Sequence, residues 1–255
     1  IDENTQFELG YRGRKVDRET DYDVSYLTSI QCVTTPCEDI YQSDPGLSNI
    51  FAYEEFVNAF YSQYGKKVDK LSFLLGLRFE GSKQEIDQRT TNQFEIKKYS
   101  DWFPTLNLAY EFSKMESITF GYSKRIRRPR GWNINPFPRR SSVTSVRRGN
   151  PFLDPTFTNS LEIGYLKRLE KFTINGEIFY SNSKNNSVRV TEETGELVTV
   201  TGGRDDESNP TLQVPVLESY PINLSENTRF GAVLNLTYTP SRSVRLNASF
   251  TLNDN

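Results

Sequence analysis

The stretch LSFLLGLRF, from Leu71 to Phe79, puts Leu71, Phe73, Leu75, Leu77 and Phe79 on one side of an extended chain. Ser72, Gly76 and Arg78 fall on the other, with only Leu74 out of step. A repeat of two with large apolar residues on one face predicts a half-buried β-strand. The same pattern recurs along the chain. Trp102, Leu106, Leu108, Tyr110 and Phe112 share a face, opposed by Thr105, Asn107 and Glu111. It fits the segments around Phe7–Tyr11, Ile118–Tyr122, Leu161–Tyr165, Phe172–Tyr180, Phe230–Tyr238 and Val244–Leu252. From Phe51 to Tyr64 the alternation is less clean, and Val57, Ala59 and Tyr61 are assigned to the apolar face. About nine strands of roughly ten residues result, the length a strand needs to cross a bilayer at a tilt.

The connections alternate between two lengths. Short charged turns fall at Gly65–Lys70, Ser113–Ser117, Lys167–Lys171 and Thr239–Ser243. Long polar loops are expected over residues 12–49, 80–101, 127–158 and 182–225. Tight turns at one end and long loops at the other describe an outer-membrane barrel with periplasmic turns and extracellular loops. A soluble β-sandwich also alternates, but its strands average five or six residues and its loops are short. Gly10, Gly76, Gly121, Gly164 and Gly231 stand opposite the apolar stripe with Asn, Ser, Thr, Glu and Arg, a composition suited to a polar lumen. The expected fold class is therefore all-β, an antiparallel transmembrane β-barrel segment. Nine is odd and single-chain bacterial barrels close on even numbers, so an arc of a larger barrel is expected.

Composition narrows the chemistry. With no histidine there is no Ser-His-Asp triad, no Cys-His pair and no His-ligated metal site, and no motif singles out an acid–base pair, so no enzyme, cofactor or metal centre is expected. No run of about 18 apolar residues offers a membrane-spanning helix. The mean hydropathy of −0.63 is compatible with a barrel, whose lumen-facing residues keep the average low. Lys plus Arg number 31 against 33 Asp plus Glu, so the arginine run RIRRPRGWNINPF (Arg125–Phe137) is a local feature and no nucleic-acid partner is expected. The chain opens on Ile1 without a signal peptide, as expected of a processed chain or of part of a longer one.

YSKRIRRPRGWNINPF (Tyr122–Phe137), followed by GNPFLDPTFTNSLEIGY (Gly149–Tyr165), resembles the TonB-dependent outer-membrane receptors, in particular their Bacteroidetes-type β-barrel branch. YSDWFPTLNLAYEF (Tyr99–Phe112) fits the same family. The resemblance implies a plugged barrel of about 22 strands in the bacterial outer membrane that imports a scarce ligand, whether siderophore, glycan or peptide. It further implies a plug domain of the same polypeptide and the TonB complex as partners, with a surface lipoprotein as another. Residues 1–255 are then expected to be the central part of the barrel, with the plug and both barrel ends missing. A barrel with a structural or assembly role in a larger surface or secretion complex is the alternative, and a secreted adhesin-like β-domain a third.

The arginines set the candidate site: Arg125, Arg127, Arg128 and Arg130, then Arg139, Arg140, Arg147 and Arg148, with no acidic residue from Arg125 to Arg148. Three readings stay open: pairing with carboxylates of the barrel wall or plug, capture of an anionic ligand, and contact with lipopolysaccharide phosphates. Pro129, Pro136, Pro138, Pro151 and Pro155 restrict this loop and are expected to fold it over the barrel mouth, with Trp132 and Phe137 as anchors or as ligand-stacking rings. Cys32 and Cys37, in CVTTPC, are expected to form a local disulfide in an oxidising compartment. Asp205, Asp206 and Glu207 read as a solvated loop tip, and Val188–Gly202 as a hairpin turning near Thr194 and Gly195.

Overall fold

The computed structural model describes residues 4–31, 38–201 and 211–254. Nine long strands form one continuous antiparallel wall: β1 (Thr5–Tyr22), β4 (Asn49–Val68), β5 (Leu71–Gln88), β6 (Gln93–Ser113), β7 (Glu116–Arg127), β10 (Thr156–Arg168), β11 (Phe172–Thr201), β12 (Thr211–Ser241) and β13 (Val244–Asp254). Between them lie β2 (Ser25–Gln31) and β3 (Glu38–Ser43), a separate hairpin, then a helical turn α1 (Gly131–Ile134) and two short strands, β8 (Arg139–Ser142) and β9 (Ser145–Arg147). β9 pairs in parallel with β12 through Leu217, Glu218 and Ser219, joining the loop after β7 to the extended β11–β12 ribbon. None of the described helices is long and apolar enough to cross a membrane.

Register aligns the apolar stripe across the wall. Directly paired residues share a face, and the row Phe7, Tyr64, Leu75, Leu106, Tyr122, Leu161, Tyr180, Phe230 runs through eight neighbouring strands. These side chains point away from the concave side, and Leu75 keeps 48% of its surface exposed, the signature of a face solvated by lipid. Turns of two or three residues close the periplasmic end. The turn between β4 and β5 places Asp69 at φ +51, a left-handed conformation that Asp tolerates.

Two expectations change. The even residues of β4 point outward, Phe60 and Tyr64 toward lipid, whereas Val57 and Ala59 are buried on the inner face and Tyr61 lines the inner cavity with them. Register decides this, because Tyr11 pairs with Phe60 and their rings stand 5.0 Å apart. Much of what was expected as loop is paired strand. β1 continues to Tyr22, β5 to Gln88, and β6 begins at Gln93, so the wall rises well beyond the bilayer as hydrogen-bonded ribbons. Residues 188–201 likewise form no hairpin of their own. They extend β11 along β12, and the expected turn is an irregularity between Glu193 and Leu197, with Gly195 at φ +83. Cys32, Cys37, Asp205, Asp206 and Glu207 lie outside the described residues.

Candidate functional site: an arginine-lined vestibule

Above the bilayer the inner face of the wall carries a small core. Phe51 and Tyr53 of β4 and Ile86 of β5 pack against Ile134 of α1 and Leu153 of the following segment. The loop after β7 is thereby fastened inside the mouth. Backbone bonds stitch it: Gly149 donates to the Asn135 carbonyl at 2.7 Å and Asn150 to the Asn133 carbonyl at 2.7 Å. Lys97 Nζ binds the Phe152 and Leu153 carbonyls at 2.9 and 2.6 Å and Asp154 at 2.8 Å. A Cβ at Gly149 would stand 2.5 Å from the Asn135 oxygen and 2.7 Å from Asn133 backbone atoms, which cannot yield without opening the loop. Gly149→Ala is therefore expected to release α1, read as a changed Trp132 fluorescence and faster proteolysis near Arg130, with the wall still folded.

The arginine run does not form one patch. Arg125 faces a cavity of about 880 Å³ inside the wall, with Arg12, Arg14 and Arg78. Arg127 and Arg130 are exposed. Arg128 turns inward to two buried carboxylates. Its Nη2 bonds Glu80 and Ser82 Oγ (2.7 Å), its Nε donates to the Tyr99 hydroxyl (2.8 Å), and Glu55 Oε1 lies 3.6 Å away. Gln84 Nε2 completes the cluster by donating to Tyr53 Oη (3.1 Å) and Glu55 Oε1 (3.0 Å). Burial opposes the charge on Arg128, and the Glu80 hydrogen bond with the surrounding carboxylates outweighs it, so its pKa rises. Burial likewise pushes Tyr99 and Tyr53 above the usual tyrosine range, keeping both hydroxyls protonated.

A second cavity of about 590 Å³ opens above this cluster. Phe51 and Tyr53 line it, Val57 and Ala59 line the lower one, and Glu55 lies between on the same face of β4. The buried ion cluster therefore separates an outer vestibule from an inner chamber. Six arginines line the vestibule: Arg18 of β1, Arg139 and Arg140 of β8, Arg147 of β9, Arg148, and Arg189 of β11. None of its described lining residues is acidic. Arg140 is held by Glu196 at 2.9 Å, and Arg148 by Glu218 at 2.9 Å with its guanidinium 4.2 Å from the Tyr220 ring centroid. Among the described residues no carboxylate lies within 4 Å of Arg18, Arg139 or Arg147. Trp132, 59% exposed, lines the cavity as an open ring, whereas Phe137 is buried and anchors the loop.

Arg18 and Arg189 were missed in the sequence. The signal for Arg18 was present, since continuing the alternation of β1 beyond Tyr11 puts Arg12, Arg14 and Arg18 on the inner face. Glu55 and Glu80, the partners of Arg128, also alternate inward on β4 and β5.

With this wall in view, the family comparison is decisive: the chain matches the outer membrane protein beta-barrel family over residues 1–255. It belongs to that family. Its place is accordingly the bacterial outer membrane. No curated protein matches the sequence. Among solved structures it is similar to the FrpB iron transporter from Neisseria meningitidis (TM-score 0.58, 11% identity), covering 99% of this chain and 33% of that one. It is also similar to the copper transporter OprC (TM-score 0.61, 11% identity, 98% and 36% covered). A third is the siderophore receptor PirA from Acinetobacter baumannii (TM-score 0.53, 13% identity, 94% and 36% covered). The likeness is one of fold, and the chain spans about a third of the length of these proteins.

Proposed function

We propose that the chain forms part of the wall and mouth of a TonB-dependent receptor and that its vestibule captures an anionic ligand for import. The observation that carries this is the six-arginine cavity, with no carboxylate among its described lining residues, at the extracellular end of an outer-membrane barrel. Unpaired guanidinium groups gathered in a concave space focus an attractive field on anions and offer forked donors to carboxylate or phosphate. Arg18, Arg139 and Arg147 would meet the ligand, Arg140 and Arg148 would be braced by their glutamates, and Trp132 would stack on a flat portion of it. The role is transport without catalytic chemistry. A plug domain of the same polypeptide, the TonB complex and a surface lipoprotein are the partners this reading includes.

The test uses the full-length polypeptide in a host whose growth depends on it, supplied with anionic or neutral metal chelates. Arg18→Gln/Arg139→Gln/Arg147→Gln is expected to raise the half-saturating concentration of an anionic chelate about tenfold or more, leaving a neutral chelate unaffected. The wild-type advantage should shrink as salt rises. An unchanged half-saturating concentration for the anionic chelate in the variant, an equal rise for both chelates, or uptake that persists without TonB would sink the proposal.

A further inference from the structure

The lipid-facing side carries a feature unrelated to the vestibule. Tyr11, Phe60, Phe79 and Trp102 form one row across β1, β4, β5 and β6, with the Phe79 and Trp102 rings 4.8 Å apart. Eight residues separate Leu71 at the periplasmic turn from Phe79, about 27 Å along a strand and about 20 Å of depth once tilted. This row is therefore the aromatic girdle at the outer boundary of the apolar band. The Tyr11 hydroxyl confirms the direction by donating outward to Asn58 Oδ1 at 2.6 Å.

The next row outward, Gly13, Asn58, Gly81 and Ser100, is nearly bare. A Cβ at Gly81 would find no atom within 4 Å. One row farther stand Lys15, Phe56, Lys83 and Lys98, about 14 Å from the girdle along the strands and about 10 Å above it once tilted. Lys15 lies over the Phe56 ring at 5.1 Å, and its ammonium is 3.6 Å from Asp17 and Glu54. Lys83 pairs with Glu85, and among the described residues Lys98 has no carboxylate within 4 Å. Those acids, Asp17, Glu54 and Glu85, occupy the row beyond the lysines, so the shelf itself bears only positive charge. A shallow cavity of about 410 Å³ covers it, between Lys83 and Lys98 and over Asn58 and Ser100.

We propose that this shelf binds the phosphate-bearing headgroup of an outer-leaflet lipid. Lys83 and Lys98 hold the phosphate, Asn58 and Ser100 offer hydrogen bonds, and the aromatic row lies against the acyl chains. The shelf faces out from the wall about 5–10 Å beyond the apolar band, within the headgroup layer, so lipid phosphate is present there at far higher local concentration than any soluble anion. The site lies on the opposite side of the wall from the arginines.

Native mass spectrometry of the full-length polypeptide in detergent, with bisphosphorylated lipid A or its dephosphorylated form added, tests this. The wild type is expected to bind the phosphorylated lipid at least tenfold more tightly. Lys98→Gln, which breaks no described ion pair, should weaken that binding about fivefold. Gly81→Phe, which fills the shelf without changing charge, should remove the preference. A heat-modifiable band on a gel reports that each variant is folded. Equal binding of the two lipids by the wild type, or wild-type affinity retained by either folded variant, would overturn the proposal.

Discussion

Leu75→Arg is expected to keep the full-length polypeptide out of the outer membrane, whereas Ser72→Arg leaves it inserted. Leu75 lies in the apolar row shared by eight strands, four residues from Leu71 near the periplasmic turn and four from Phe79 in the aromatic girdle, which places it near the bilayer midplane. A charge there costs about 2–4 kcal/mol, and a folding arginine finds no partner in lipid. Ser72 points to the inner side, where it shares a cavity with Asn107 and Glu162, so an introduced guanidinium meets polar groups and a carboxylate. The readout is the fraction of heat-modifiable, folded protein in outer-membrane preparations. Equal tolerance of the two substitutions would contradict the register of β5.

Arg128→Met should be the most damaging substitution above the bilayer. It removes the cation between Glu55 and Glu80, which are 4% and 6% exposed, leaving Glu55 with no described cation and Glu80 with Arg78 alone, 3.1 Å away. Breaking one partner out of a buried pair typically costs about 3–5 kcal/mol, more than a surface pair can. Because β4, β5 and β6 continue below this point as membrane strands, the loss should appear as local opening. Amides of Tyr53, Gln84 and Tyr99 should exchange faster while those near Leu75 do not. Arg128→Met combined with Glu55→Gln and Glu80→Gln should recover much of the protection. Failure of the triple variant to do so would show that Arg128 acts through packing on Tyr99 and not through charge.

The nine wall strands were legible because lipid enforces alternation: a charge on the outer face is costly, so each spanning segment advertises its two faces. β4 was misread for a related reason. Phe51, Tyr53, Val57 and Ala59 form a second apolar stripe on its inner face, where the upper part of the strand meets Ile134 and Leu153 of the loop after β7. Two apolar stripes on one strand leave its orientation ambiguous until its neighbours fix the register. Above the bilayer both faces are wet, and the pattern survives only as alternating charge, with Arg12, Arg14 and Arg18 inward and Lys15, Asp17 and Glu19 outward on β1. The basic run from Arg125 to Arg148 was visible, but its division was not. Arg128 is drawn off by acids more than 40 residues earlier, and the vestibule gains Arg18 and Arg189 from strands far away in sequence.

The three-residue parallel ladder between β9 and β12 has a mechanical meaning. β12 descends without interruption from this ladder to the periplasmic turn at Ser241, and Arg140 and Arg148 tie the same loop to Glu196 of β11 and Glu218 of β12. Any force applied at Arg147 is thus delivered to a lever that ends on the far side of the membrane. The loop and the tall ribbon must move as one, or the ladder must unzip first.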